Sequence, residues 1–113
     1  MNNTATFVLK SHGQALAAAG LHDATLDSVA FDWATAEASA AVMLVGGIRA
    51  TLAFHSVKSV VLSRDQPWGP SNAINEAKTL PTGEHEIEMQ SGDTLRFTAS
   101  SWSLRISASP SEA

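Results

Sequence analysis

The chain of 113 residues has no cysteine, and only 16% of its residues are charged. Without cysteine, disulfides and thiolate metal sites are excluded, which agrees with the cytoplasmic location that we expect. A surface with few charges resists self-association less well than an average one, so a homodimer stays open. The length corresponds to one ordinary domain, which is long enough to bury a core without the help of metals.

A cluster of basic residues is also missing. The net charge is −4, and the seven lysines and arginines lie scattered along the chain. Proteins that bind nucleic acids need a basic surface to neutralise phosphates, so we expect no nucleic-acid partner. The longest apolar run, residues 38–48, contains Gly46-Gly47 and is too short to cross a bilayer. The first residues lack a basic start followed by an apolar stretch, so we expect no signal peptide and no membrane contact.

Alternation of apolar and other residues dominates the sequence from residue 24 onwards. In the first alternating run, Val29, Phe31 and Trp33 fall on one face of a strand, and such apolar faces must be buried together. Gly46-Gly47 lies between two later runs and predicts a two-residue hairpin with positive φ at both glycines. Further runs predict short strands within residues 57–63, 85–90, 94–100 and 102–107.

A short helix is predicted before the first long strand. Ser11 and Gln14 have the spacing of a capping box, and the alanines that follow favour a helix. Gly20 suits the position just past a helix end. We therefore expect one helix over residues 12–19.

The connections between the alternating runs indicate the fold class. Most of them are too short for helical crossovers, so the strands are expected to pair antiparallel. The prediction is a mainly β fold, an antiparallel β-sandwich or a flattened barrel of seven to eight short strands with one short N-terminal helix. Residues 1–107 are expected to form a single domain, and residues 108–113 a flexible C-terminal tail.

The segment SRDQPWGPSNAINE, residues 63–76, is the longest predicted loop. Its two prolines stiffen it, and a stiff loop that displays an indole is suited to binding. We expect instead that Trp68 folds back over the end of the sandwich, where its indole N–H needs one acceptor. If the loop does bind a partner, the candidate residues are Arg64, Asp65, Trp68, Asn72 and Asn75.

Motifs that would indicate catalysis or metal binding are missing. The four histidines show no H-x-H or H-E-x-x-H spacing, and no serine lies in a nucleophile motif. The EHE segment at residues 84–86 is typical of a solvated strand face. His22 and Asp23 are adjacent, but successive residues of an extended chain face opposite ways. The sequence therefore predicts no catalytic residue, no metal and no cofactor, and it argues against an enzyme.

Three segments carry a resemblance to known proteins: LHDATLDSVAFDW, VKSVVLSRDQPWGPSNAINE and IEMQSGDTLRFTASSWSL. With the motifs HDA-x-L and PWGPS-x-x-IN, and together spanning residues 21–104, they resemble small uncharacterised bacterial β-rich domains. Some of those domains are found among the immunity proteins of polymorphic toxin systems. The resemblance implies a mostly β fold and the binding of a protein partner, and it transfers no catalytic residue.

Two functions therefore stay open. The first is an interaction domain that binds a protein partner through a sheet face or the 64–76 loop. The alternative is a β-barrel that binds a small molecule, or less favourably hydrolyses one, near His22, His55 and Trp68. A flat, exposed apolar patch would favour the first function. A pocket in which the two histidines converge with an acidic residue would favour the second.

Overall fold

A computed structural model describes the backbone of residues 5–11 and 15–108 and the side chains of residues 15–106. This part of the chain forms nine strands, where the sequence predicted seven to eight. The strands are β1 Ala5–Ser11, β2 Thr25–Asp32, β3 Glu37–Leu44, β4 Ile48–His55, β5 Ser59–Leu62, β6 Ile74–Thr79, β7 His85–Met89, β8 Thr94–Thr98 and β9 Ser101–Ala108.

The strands form two antiparallel sheets, which confirms the predicted mainly β antiparallel fold. One sheet has five strands in the order β1-β9-β4-β3-β2, and the other has four in the order β5-β8-β7-β6. Of the two predicted architectures, the molecule adopts the sandwich, because no described strand is shared between the sheets. The sheets adjoin at one corner, where Thr25, the first residue of β2, forms an isolated bridge with Ala73, just before β6.

The core lies between the inner faces of the two sheets. Every second residue of β3 from Ala38 to Val42 is buried, and so is every second residue of β4 from Ala50 to Phe54. The ring of Phe54 stacks on the ring of Phe97 in β8, with centroids 4.1 Å apart and planes 10° apart. This stack joins the five-stranded sheet to the four-stranded sheet.

After a register shift between Leu26 and Ser28, strand β2 alternates in sequence up to Asp32, yet none of its residues is buried. Val29 and Phe31 pair with the buried residues Ala40 and Ala38, so both side chains face the inside of the sandwich. Nevertheless Phe31 is 41% exposed, and Trp33, in the turn that follows, is 88% exposed. The predicted burial is wrong for these two aromatics, because the four-stranded sheet does not extend over the end of β2.

The predicted N-terminal helix is reduced to one turn. Residues 12–14 lie outside the described part of the chain, and Leu16–Ala19 form a single 3-10 turn. Gly20 takes the left-handed conformation expected just past a helix end, with φ 70°. A segment this short gains too few hydrogen bonds to compensate for the cost of starting an α-helix.

Outside the core, two further expectations can be compared with the structure. Gly46 and Gly47 both have positive φ, as predicted, but the turn between Leu44 and Ile48 contains three residues rather than two. Of the predicted tail, Ala108 is the last residue of β9, and residues 109–113 lie outside the described part of the chain. No helix within the described ranges is long and apolar enough to span a membrane.

Replacing Phe54 with alanine tests the contact between the sheets. Phe54→Ala removes the stack on Phe97 and leaves a cavity, so we expect the free energy of unfolding to fall by about 3–5 kcal/mol. Urea unfolding followed by tryptophan fluorescence measures it. The control Phe31→Ala removes an equal side chain from an uncovered position and should cost about 1 kcal/mol or less. Equal losses in the two variants would contradict this description of the core.

Candidate functional site

A cleft of about 810 Å³ lies between the first half of β2 and the end of the four-stranded sheet where β5 and β7 end and β8 begins. We call it the inter-sheet cleft. Neither β2 nor β5 contains a buried residue. The apolar part of its lining is Leu26, Val29, Leu62, Met89 and Leu95, and the polar part is Asp27, Ser28, Ser63, Arg64, Ser71, Asn72 and Asp93, with Pro70 between them.

Two of the strands that line the cleft, β2 and β5, each have an unpaired edge. β2 is the last strand of its sheet, and beyond Leu26 no backbone group of the described chain bonds to its outer side. β5 is the last strand of the other sheet and pairs only with β8. Such edges present free N–H and C=O groups to any extended chain that approaches them.

The loop between β5 and β6 forms one wall of the cleft. It spans residues 63–73, so it is shorter than predicted, and Asn75 belongs to β6. Arg64 and Asn72 line the cleft, as a binding role for the loop requires. The Asn72 carbonyl accepts a hydrogen bond of 2.7 Å from the Leu26 N–H, which ties the loop to β2. Arg64 is exposed and has no hydrogen bond or ion pair to any described residue.

A buried carboxylate holds the start of this loop in place. Asp93 is only 2% exposed, and its Oδ1 accepts a hydrogen bond of 3.0 Å from the Asp65 N–H and one of 3.3 Å from the Ser63 hydroxyl. Its Oδ2 accepts a bond of 2.8 Å from the Ser91 hydroxyl. Burial by itself would raise the pKa of Asp93, but the hydrogen bonds from Ser91, Asp65 and Ser63 outweigh burial and lower it.

Trp68 lies at the tip of the loop. Its indole N–H donates a hydrogen bond of 2.9 Å to the Ser91 carbonyl, so the predicted acceptor exists. The residue is nevertheless 71% exposed, and the prediction that it plugs the end of the sandwich is wrong. The Ser91 carbonyl, in the turn between β7 and β8, binds the indole N–H of Trp68, while most of the ring remains exposed to solvent. Trp68 does not line the inter-sheet cleft.

The two histidines of the alternative site do not meet. The Nδ1 of His22 donates to the Asn75 carbonyl at the start of β2, whereas the Nδ1 of His55 lies 2.9 Å from a Glu37 carboxylate oxygen at the other end. Glu37 pairs with Asp32, the last residue of β2, and eight residues of strand span about 23 Å. His22, His55 and Trp68 therefore do not form one site. Within the described residues, no group of three potential ligands could hold a metal ion.

A second concavity, of about 570 Å³, adjoins the end of β2. Phe31 and Trp33 contribute to it and form an edge-to-face pair, with ring centroids 5.9 Å apart; we call them the aromatic pair. Asp32 and Glu37 supply two carboxylates to the same concavity. Large apolar side chains beside an open strand edge are typical of a binding surface.

Two residues of the site, and one buried segment outside it, could not be recognised from the sequence. Leu62 faces the cleft, although the sequence pattern around it predicts only that the residue lies in a strand. Asp93 looked like a turn residue, because the loop atoms that it binds lie about thirty positions away in the chain. The expected solvated EHE face is also wrong, since His85 and Glu86 are 5% and 8% exposed. His85 lies in the core beside Phe54, and burial lowers its pKa.

Comparison with protein-family models, curated proteins and solved structures finds no match for this chain.

Acid titration tests the role of Asp93. Because its pKa is lowered in the folded state, its charged form stabilises the fold above the ordinary value of 3.8, and that contribution is lost as the pH falls below 3.8. We expect Asp93→Asn to lower the midpoint of urea unfolding at pH 7, with a difference from the unsubstituted protein that shrinks below that value. Asp27→Asn, a change of the same kind at an exposed position, should leave the midpoint unchanged at pH 7. A difference for Asp93→Asn that does not vary between pH 7 and pH 2.5 would contradict the proposed anchoring.

Proposed function

We propose that the protein is an interaction domain that binds an extended segment of a protein partner. The segment lies along the free edge of β2 and places apolar side chains in the inter-sheet cleft. This proposal makes the sequence-based hypothesis of a protein-binding domain specific to one surface. The observation that carries it is an apolar cleft bordered by two strands whose outer edges are unpaired.

Two kinds of contact would hold such a segment. The backbone of a guest strand would pair with β2, and each hydrogen bond formed in this way contributes about 1 kcal/mol. An apolar side chain that enters the cleft beside Val29 and Leu62 would add about 1.5–3 kcal/mol when fully buried. Sequence-tolerant backbone pairing with one or two side-chain pockets is the usual form of strand addition.

The loop residues have different parts in this proposal. Arg64 and Asn72 would make polar contacts at the rim of the cleft, since both line it. The backbone of Asp65 holds the loop through Asp93, and Asn75 accepts from His22, so these residues would act by keeping the wall in place. A wall that is ordered before binding lowers the entropy cost of the complex. Trp68 would contact only a partner that reaches beyond the cleft.

A small apolar molecule is the second candidate ligand. The cleft volume of about 810 Å³ falls in the range of about 300–1,000 Å³ that is usual for small-molecule sites. Native mass spectrometry of the purified protein would favour this function if a bound small molecule were present and were lost on substitution of Leu62. The site would then lie in the cleft, away from His55.

Several sequence-based expectations stay predictions beside this proposal. They are the cytoplasmic location, the homodimer and the resemblance to immunity-type β domains. Sedimentation or light scattering of the purified protein measures the oligomeric state independently of peptide binding.

A matched pair of substitutions on β5 tests the proposed function. Leu62 lines the cleft and is 53% exposed, whereas its neighbour Val61 is 58% exposed and is not part of the lining. We expect a phage library of random 12-residue peptides to yield binders, one of which is then synthesised. Leu62→Glu should weaken the binding of this peptide at least about tenfold, because the new carboxylate would be desolvated in the cleft. Fluorescence anisotropy measures the affinity.

The control Val61→Glu adds the same charge to the same strand and should change the affinity by less than about twofold. Thermal unfolding of both variants establishes that they are folded. The proposal fails if no binder is selected, or if the selected peptides bind equally well to both variants.

A further inference from the structure

The partner segment has a definable charge pattern, because the two faces of β2 differ. Val29 and Phe31 share the inner face with the cleft, and they pair with buried residues of β3. Ala30 and Asp32 have the opposite orientation, because successive side chains of a strand point to opposite faces. Asp32 pairs directly with Glu37, so two carboxylates lie side by side on the outer face.

This pair of carboxylates is only partly neutralised by the protein itself. Glu37 contacts His55, which is the one basic side chain paired with either carboxylate in the described part of the chain. Asp32 uses its Oδ1 to accept from the N–H groups of Ala34 and Thr35 in the turn. Like charges on directly opposite residues repel each other, and a bound cation would relieve that repulsion.

The aromatic pair lies next to these carboxylates. Trp33 is 88% exposed and lines the same concavity as Asp32 and Glu37. An exposed indole attracts a lysine or arginine side chain through the charge distribution of its ring. An apolar occupant alone would leave the repulsion between the two carboxylates in place, whereas a basic side chain would contact the indole and also reduce that repulsion.

A second copy of the chain fits this edge less well. Between Thr25 and Trp33, β2 and its turn carry Asp27 and Asp32 and no basic residue. A second copy that paired through its own β2 would add the carboxylates of Asp27 and Asp32 to this edge and would bring no positive charge to neutralise them. The acidic edge therefore favours a different, basic chain over self-pairing.

From these observations we infer that the partner is a basic extended segment, in which an apolar side chain enters the inter-sheet cleft and a lysine or arginine contacts Asp32, Trp33 and Glu37. The inference rests on the proposed function. Val29 at the cleft and the Asp32–Glu37 pair lie on opposite faces of β2, so along one guest strand the two side chains must be separated by an odd number of positions, one or three. This spacing distinguishes strand addition from a general attraction of basic peptides to an acidic protein.

Sequencing of the selected 12-residue peptides is the first part of the test. We expect lysine or arginine at one or three positions from an apolar residue more often than in the unselected library. Selection on the double variant Asp32→Asn/Glu37→Gln should still yield peptides but without this basic enrichment. Both substitutions keep an acceptor oxygen for the turn and for His55, so the fold is retained.

Affinity measurements with one selected synthetic peptide are the second part. The double variant should bind this peptide about five- to tenfold more weakly, and the affinity should lose most of its dependence on salt. Trp33→Ala should weaken the binding of the same peptide about two- to fivefold. The control Glu76→Gln/Glu88→Gln removes the same total charge from the outer face of the other sheet, since both residues flank the inward-facing Ala77–Ile87 pair. Its affinity should stay within about twofold of the unsubstituted protein.

The outcomes separate the inference from the proposed function. The inference would be overturned if the selected peptides bind and depend on Leu62 but show no enrichment in lysine or arginine. The cleft would then remain the proposed binding site. Equal losses in the acidic variant and its control would overturn the inference as well, because net charge alone would then explain the preference. Failure to select any peptide would overturn both.

Discussion

The four-stranded sheet of this molecule covers only part of the five-stranded sheet. The stack of Phe54 on Phe97 fixes where the two sheets meet, and the strands around this stack bury every second residue. On the far side β2 remains without a single buried residue, although Val29 and Phe31 pair with buried residues of β3. The cleft and the exposed aromatic pair follow from this incomplete coverage, whereas β2 and β5 have unpaired edges because each is the last strand of its sheet.

Sequence patterns predicted which way side chains point, but not what lies above them. The faces of Val29 and Phe31 could be read from the period of two, because that period is a property of the extended backbone. Their burial could not, since it depends on how far the other sheet extends. The same limit applies to Trp68, whose expected acceptor exists while its ring stays exposed. The strands and turns are local properties, whereas the cleft requires two edges that are far apart in the chain.

The buried Asp93 connects stability to the candidate site. A carboxylate that is 2% exposed is costly unless hydrogen bonds compensate, and the start of the 63–73 loop supplies two of them. The same bonds fix the position of Arg64 at the cleft, because Arg64 lies between the two residues that bind Asp93. The wall of the cleft is therefore determined by folding and would need no rearrangement on binding. This arrangement agrees with the composition of the 63–73 loop, which contains two prolines and mostly polar residues.

Residue-resolved amide hydrogen exchange of the protein with and without a selected peptide tests the central claim most directly. In the free protein, the amides of residues 27–32 that point away from β3 should exchange quickly, because the outer edge of β2 is unpaired. They should become protected when the peptide binds, in an alternating pattern along the strand, while β4 in the core stays equally protected in both states. Binding of the peptide without any new protection in β2 would contradict the account.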